Sequence, residues 1–85
     1  MTTEKILELV EDYFKMEYRD IQLVVKHHQI LYDDTEYLGS RHVNATLQRC
    51  LGVALFVQSM DIPYEEVNKL YEEYREKIEK VLDNN

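Results

Sequence analysis

The stretch that decides the fold is 63-PYEEVNKLYEEYREKIEKVL-82, in a chain of 85 residues. Its apolar residues recur every three or four positions, which is the spacing of an amphipathic α-helix. Pro63 is tolerated in the first turn of a helix, and Glu65 adds negative charge where the helix dipole favours it. Opposite charges four residues apart, such as Glu73 and Lys77, stabilise a helix by about 0.2–0.5 kcal/mol per pair. The stretch therefore predicts a helix over residues 63–82.

Three tyrosines lie on the apolar face of this predicted helix. The residues of that face are spaced alternately by three and four positions, as in a heptad repeat: Tyr64, Val67, Tyr71, Tyr74, Ile78 and Val81. Tyrosine suits a contact that is apolar along the ring and solvated at the hydroxyl. We therefore predict that Tyr64, Tyr71 and Tyr74 contact a protein partner, with packing inside the chain as the alternative. The thin core of so short a chain also favours self-association as a homodimer.

A second helix is predicted over residues 41–60. Its apolar residues spread around the helix toward its end, which is typical of the buried centre of a domain. Gly52 lies inside this helix at a cost of about 1 kcal/mol relative to alanine. A neighbouring element that crosses closely at Gly52 would explain the glycine.

Residues 37–60 contain no acidic residue, although the chain has 17 Asp and Glu residues. Basic and amide side chains lie on the polar side of the predicted helix: Arg41, Asn44, Gln48 and Arg49. The first three are about one helical turn apart, so they share a face. Such a strip suits a carboxylate, a phosphate or an acidic protein surface. We predict these four residues as a partner-binding site. The alternative is that the two arginines pair with acidic residues of the terminal helices.

The first part of the chain contains one clear helix and one ambiguous stretch. Residues 3–18 predict a helix that Thr2 or Thr3 can cap. Residues 20–38 have helical spacing, but they are also rich in β-branched and aromatic residues. A short β-hairpin and an additional helix are both compatible with this stretch, and composition slightly favours the hairpin.

Length and composition set the fold class and exclude several functions. The chain is long enough for a single domain, residues 1–85, and its predicted class is mainly α. A net charge of −7 opposes bulk binding to nucleic acid or to anionic membranes. The single cysteine, Cys50, fits a reducing cytoplasm. No apolar run is long enough for a membrane span, and the N-terminus lacks the features of a signal peptide.

No motif in the sequence supplies a chemistry of its own. His27, His28 and His42 do not have the spacing of a zinc site. Cys50 lies in the most apolar helix, where a thiol is usually inert. We therefore predict that the chain is not an enzyme and has no cofactor and no metal.

The second half of the chain resembles a group of phage proteins. Residues 46–57 (TLQRCLGVALFV), 62–67 (IPYEEV) and 70–74 (LYEEY) look like short uncharacterised proteins from phages and prophages of Gram-positive bacteria. The resemblance implies a small accessory or inhibitory protein that binds a host or phage protein. We therefore predict a cytoplasmic protein–protein interaction module. The alternative is a nucleic-acid-linked regulator that uses the strip from Arg41 to Arg49, or an acidic mimic of nucleic acid.

Overall fold

In the part of the chain that it describes, the computed structural model has three α-helices: α1 (Thr3–Tyr32), α2 (Glu36–Gln58) and α3 (Tyr64–Glu79). The structure describes the backbone of residues 2–32 and 36–81, and the side chains of residues 2–27 and 41–81. The predicted fold class, a small and mainly α-helical domain, is confirmed.

The first helix is longer than the predicted 3–18. Thr2 caps it, because its Oγ1 accepts a hydrogen bond from the backbone N–H of Lys5 at 3.1 Å. Where they are described, residues 20–38 are helical, but they form no additional helix. These residues extend α1 and begin α2, except for residues 33–35, which lie outside the described residues. Ile21 and Val25 are four positions apart and buried, so tertiary packing outweighs their β-propensity.

The helices α1 and α2 run antiparallel. Ile6 and Met60 line the same groove at one end of the pair. Further along, the Glu17 side chain is bonded to that of Arg49. Their contacts therefore place the C-terminal half of α2 beside the N-terminal half of α1.

The core lies where all three helices meet. Phe14, Val67 and Ile78 are fully buried. The Phe14 ring centroid lies 5.8 Å from that of Tyr74 and 6.5 Å from that of Tyr71. The heptad face predicted for α3 is therefore the face that packs on α1.

The three helices differ in length, and this leaves α2 partly uncovered. At 1.5 Å per residue, α1 is about 45 Å long, α2 about 35 Å and α3 about 24 Å. The molecule measures 45 × 16 × 16 Å, so α1 spans its full length. Each helix packs on the two others along one side only, and its opposite side faces solvent.

A tight turn connects α2 to α3. Asp61 adopts a φ of 63°, which is the left-handed region that aspartate tolerates better than most residues. Pro63 precedes the first residue of α3, and its φ of −56° already suits a helix start. The predicted start at Pro63 is therefore placed within one residue.

The expectation that α2 is the buried centre of the domain is wrong for its C-terminal half. Leu55 and Phe56 are exposed. The expectation that a neighbouring element of the same chain crosses at Gly52 is also wrong for the described residues, because a Cβ built there would meet none of their atoms within 4 Å. The physical reason is the same in both cases. A three-helix bundle buries only one side of each helix, so the opposite side of α2 is exposed.

Candidate functional site: the outward face of α2

The side of α2 that points away from the core carries both polar and large apolar side chains that are exposed. We define this outward face by its exposed residues: Arg41, Asn44, Ala45, Gln48, Gly52, Leu55 and Phe56. Arg41, Gln48 and Leu55 follow one another at intervals of seven residues, which is about two helical turns. They therefore lie along one line on the helix.

The N-terminal half of the outward face is polar. Arg41, Asn44 and Gln48 are all exposed, and they share one side of α2 as predicted. Among the residues whose side chains are described, none forms an ion pair with Arg41. These three residues are therefore brought together and face solvent.

Arg49, the fourth residue of the predicted strip, is engaged inside the chain. Its Nε donates a hydrogen bond to Glu17 Oε2 at 2.5 Å, and its Nη2 donates to Glu17 Oε1 at 3.3 Å. Nη2 also donates to the hydroxyl of Thr46 at 3.2 Å, and the hydroxyl of Tyr13 donates to Glu17 Oε2 at 3.1 Å. The alternative of internal pairing therefore applies to Arg49.

This network raises the pKa values of Arg49 and Tyr13. Hydrogen bonding to Glu17 raises the pKa of Arg49, so the guanidinium stays charged. Burial raises the pKa of Tyr13, and the charge of Glu17 adds to the effect. Burial also raises the pKa of the neighbouring Cys50 thiol to about 11, which keeps it protonated and unreactive at neutral pH.

The C-terminal half of the outward face is apolar. Phe56 is 67% exposed and Leu55 is 56% exposed. Leaving two large apolar side chains in solvent forgoes about 1.5–3 kcal/mol of burial for each of them. Sequence analysis did not select these residues, because the helix was expected to be buried all round. The signal was the seven-residue interval that places Leu55 in line with Arg41 and Gln48.

The exposed apolar surface continues beyond Phe56. Met60 lies in the turn just beyond the end of α2, four residues after Phe56. Met60 and Leu9 of α1 are both exposed, and they line a groove of about 280 Å³ between α1 and α2. The apolar half of the outward face therefore borders a shallow apolar groove.

The three tyrosines predicted as partner contacts are separated by the fold. Tyr74 is only 4% exposed, and Tyr71 is half-buried, because both pack on Phe14. Tyr64 is 62% exposed at the start of α3. In this arrangement Tyr64 faces solvent, whereas Tyr71 and Tyr74 stabilise the core.

The described residues also bear on metal binding and on membrane insertion. Within them, no three His, Cys, Asp or Glu side chains are grouped closely enough to hold a metal ion. His27 and His42 line a groove between α1 and α2, whereas the side chain of His28 lies outside the described residues. No helix among those described has the length and apolar character needed to cross a membrane.

Comparison with known proteins found no match. No protein family model matches the chain, and no curated protein or solved structure is similar to it.

Proposed function

We propose that this chain is a small protein–protein interaction module that binds another protein chain through the outward face of α2. The observation that supports the proposal is the exposure of Leu55 and Phe56 on a helix whose residues 37–58 contain no acidic side chain. Exposed aromatic and aliphatic residues beside polar ones are typical of the centre and rim of a protein interface.

The composition of the face indicates the chemistry of its partner surface. Phe56 and Leu55 suit an apolar surface, and Arg41 suits a carboxylate or a backbone carbonyl at the edge of the contact. Asn44 and Gln48 can both donate and accept hydrogen bonds. The partner surface in our proposal is therefore apolar at its centre and neutral or acidic at its rim.

The cellular setting belongs to the same proposal. The resemblance to small phage proteins supports an accessory or inhibitory protein that acts on a host or phage protein. A single cysteine, Cys50, that is buried and free fits a reducing cytoplasm. We place the action of the module there.

The alternative of a nucleic-acid-linked regulator receives less support. Glu17 engages Arg49, which leaves Arg41 as the arginine of the strip that can reach a phosphate. One arginine on a chain of net charge −7 gives little of the electrostatic free energy that nucleic-acid binding requires.

Site-specific photo-crosslinking tests the proposal. A benzophenone amino acid replaces Gln48 on the outward face or, as a matched control, the exposed Gln22 on α1. After irradiation in Gram-positive cells, we expect a defined covalent adduct from position 48 that Phe56→Asp reduces, and no such adduct from position 22. The absence of an adduct at position 48, or equal adducts at both positions, would contradict the proposal.

A further inference from the structure

Gly52 is a residue of the outward face that the contacts of a single chain do not explain. A glycine inside a helix costs about 1 kcal/mol relative to alanine. A Cβ at this position would meet no atom of the described residues within 4 Å, so their packing does not require the missing side chain. The absence of a side chain does let another backbone approach closely, and Leu55 and Phe56 lie exposed about one turn further along α2.

We propose that the element crossing at Gly52 is α2 of a second copy of this chain, packed antiparallel to the first. This inference rests on the proposed function, since it names the occupant of the same face. The contact is isologous, so each copy offers the same outward face to the other.

Charge permits a second copy at this face. Each chain carries a net charge of −7, so two copies repel one another in most orientations. The repulsion is weakest across α2, because residues 41–58 contain no Asp or Glu. Contact through the outward face keeps the acidic outer side of α3 away from the other copy.

The antiparallel orientation follows from the position of Arg41. A parallel pair would bring Arg41 next to its own copy, with like charges facing each other. In an antiparallel pair that crosses at Gly52, each Arg41 points toward the C-terminal end of the other α2. That end has the negative pole of the helix dipole and is followed by Asp61, so the interaction is attractive.

The size of the contact sets its strength. Because α2 ends at Gln58, a pair that crosses at Gly52 overlaps over about 13 residues of each helix, or about 20 Å. Such a contact buries an area at the low end for specific protein interfaces. We therefore expect a dimer with a Kd on the order of micromolar. The groove lined by Leu9 and Met60 adds apolar area beside the crossing.

Sedimentation equilibrium of the purified chain, from about 5 to about 500 µM, tests the dimer. The diagnostic variant is Gly52→Leu, because a leucine at this open position leaves the single chain intact but blocks close approach. Gln22→Leu makes a similar change on the exposed side of α1 and serves as the control. Circular dichroism establishes that both variants are folded.

We expect dimers for the unmodified chain and for Gln22→Leu, and at least about tenfold weaker association for Gly52→Leu, which corresponds to about 1.4 kcal/mol. A chain that stays monomeric at the highest concentration, or a Gly52→Leu variant that dimerises as tightly, would overturn the inference. If the chain is monomeric and position 48 still captures a different protein, the dimer is wrong and the proposed function stands. If the benzophenone at position 48 captures no protein at all, the dimer and the proposed function are both contradicted.

Discussion

The carboxylate of Glu17 in α1 is paired with the guanidinium of Arg49 in α2, and the two partners differ sharply in exposure. The Glu17 side chain is 6% exposed, whereas the Arg49 side chain is 54% exposed. The charge that needs compensation is therefore the buried one, and its partner covers it from the solvent side. This contact specifies the register of α1 against α2, because only one register brings the two side chains together.

Replacement of Arg49 by alanine leaves the Glu17 carboxylate buried with the Tyr13 hydroxyl as its remaining donor. We expect a loss of about 2 kcal/mol in the free energy of unfolding, less than for a fully buried pair because Arg49 is half exposed. Urea titration followed by circular dichroism measures it. Arg75→Ala removes a surface pair with Glu72 and is the control, with an expected loss below about 0.5 kcal/mol. Equal losses for both variants would show that the Glu17 network does not stabilise the fold.

The raised pKa of Cys50, about 11 against an ordinary value of 9.0, predicts two linked effects. The protonated thiol should react with a disulfide reagent at pH 8 far more slowly in the folded chain than in urea. Because the unfolded chain loses this proton near pH 9 and the folded chain near pH 11, folding stability should fall as the pH rises through this window.

The loss of folding stability at alkaline pH has a specific control variant. Cys50→Ala removes the contribution of the thiol, so its stability should fall less steeply between pH 9 and 11 than that of the unmodified chain. The remaining slope should come from Tyr13, Tyr71 and Tyr74, whose pKa values burial also raises. Identical slopes for the two chains would contradict the assignment to Cys50.

Gly52→Ala should stabilise the single chain. The position is inside α2 and open to solvent, so alanine gains helix propensity and meets no steric obstacle. We expect a gain of about 0.5–1 kcal/mol, measured by urea titration at low protein concentration. Ala45→Gly, at an exposed position of the same helix, is the reverse control and should lose a similar amount. A loss on Gly52→Ala would mean that an element of the chain does cross there.

The tyrosines of α3 should respond according to their burial. Tyr74→Ala removes a ring that packs on Phe14 and should cost about 3–5 kcal/mol. Tyr64→Ala changes an exposed side chain and should cost less than about 0.5 kcal/mol. Thermal and urea unfolding of the two variants measures the difference. Similar costs for both would show that Tyr74 does not belong to the core.

Helical periodicity was enough to predict α3 and its core-facing side, because Val67, Tyr74 and Ile78 are spaced for one face. The extension of α1 through Ile21 and Val25 was harder to predict. Their β-branched side chains favour a strand locally, and only their burial against the other helices decides for a helix.

The sequence predicted part of the geometry of the outward face. Arg41, Asn44 and Gln48 share an exposed face, as their spacing indicated. Arg49 pairs with Glu17 because this carboxylate of α1 lies opposite it. The register of α1 against α2 decides which acidic residue lies there, and it cannot be predicted from the sequence of α2 alone. Leu55 and Phe56 were assigned to the core, because apolar character alone does not distinguish a buried side from an uncovered one.

The measurement that tests the central claim most directly is an amide NMR spectrum of the ¹⁵N-labelled chain, recorded from about 10 to about 500 µM. The account predicts concentration-dependent shifts that are largest at Gln48, Gly52 and Phe56 and negligible at Gln22 of α1 and Lys69 of α3. Spectra that do not change with concentration, or shifts that are largest on α1 or α3, would contradict the claim that the outward face of α2 is where this chain meets another copy.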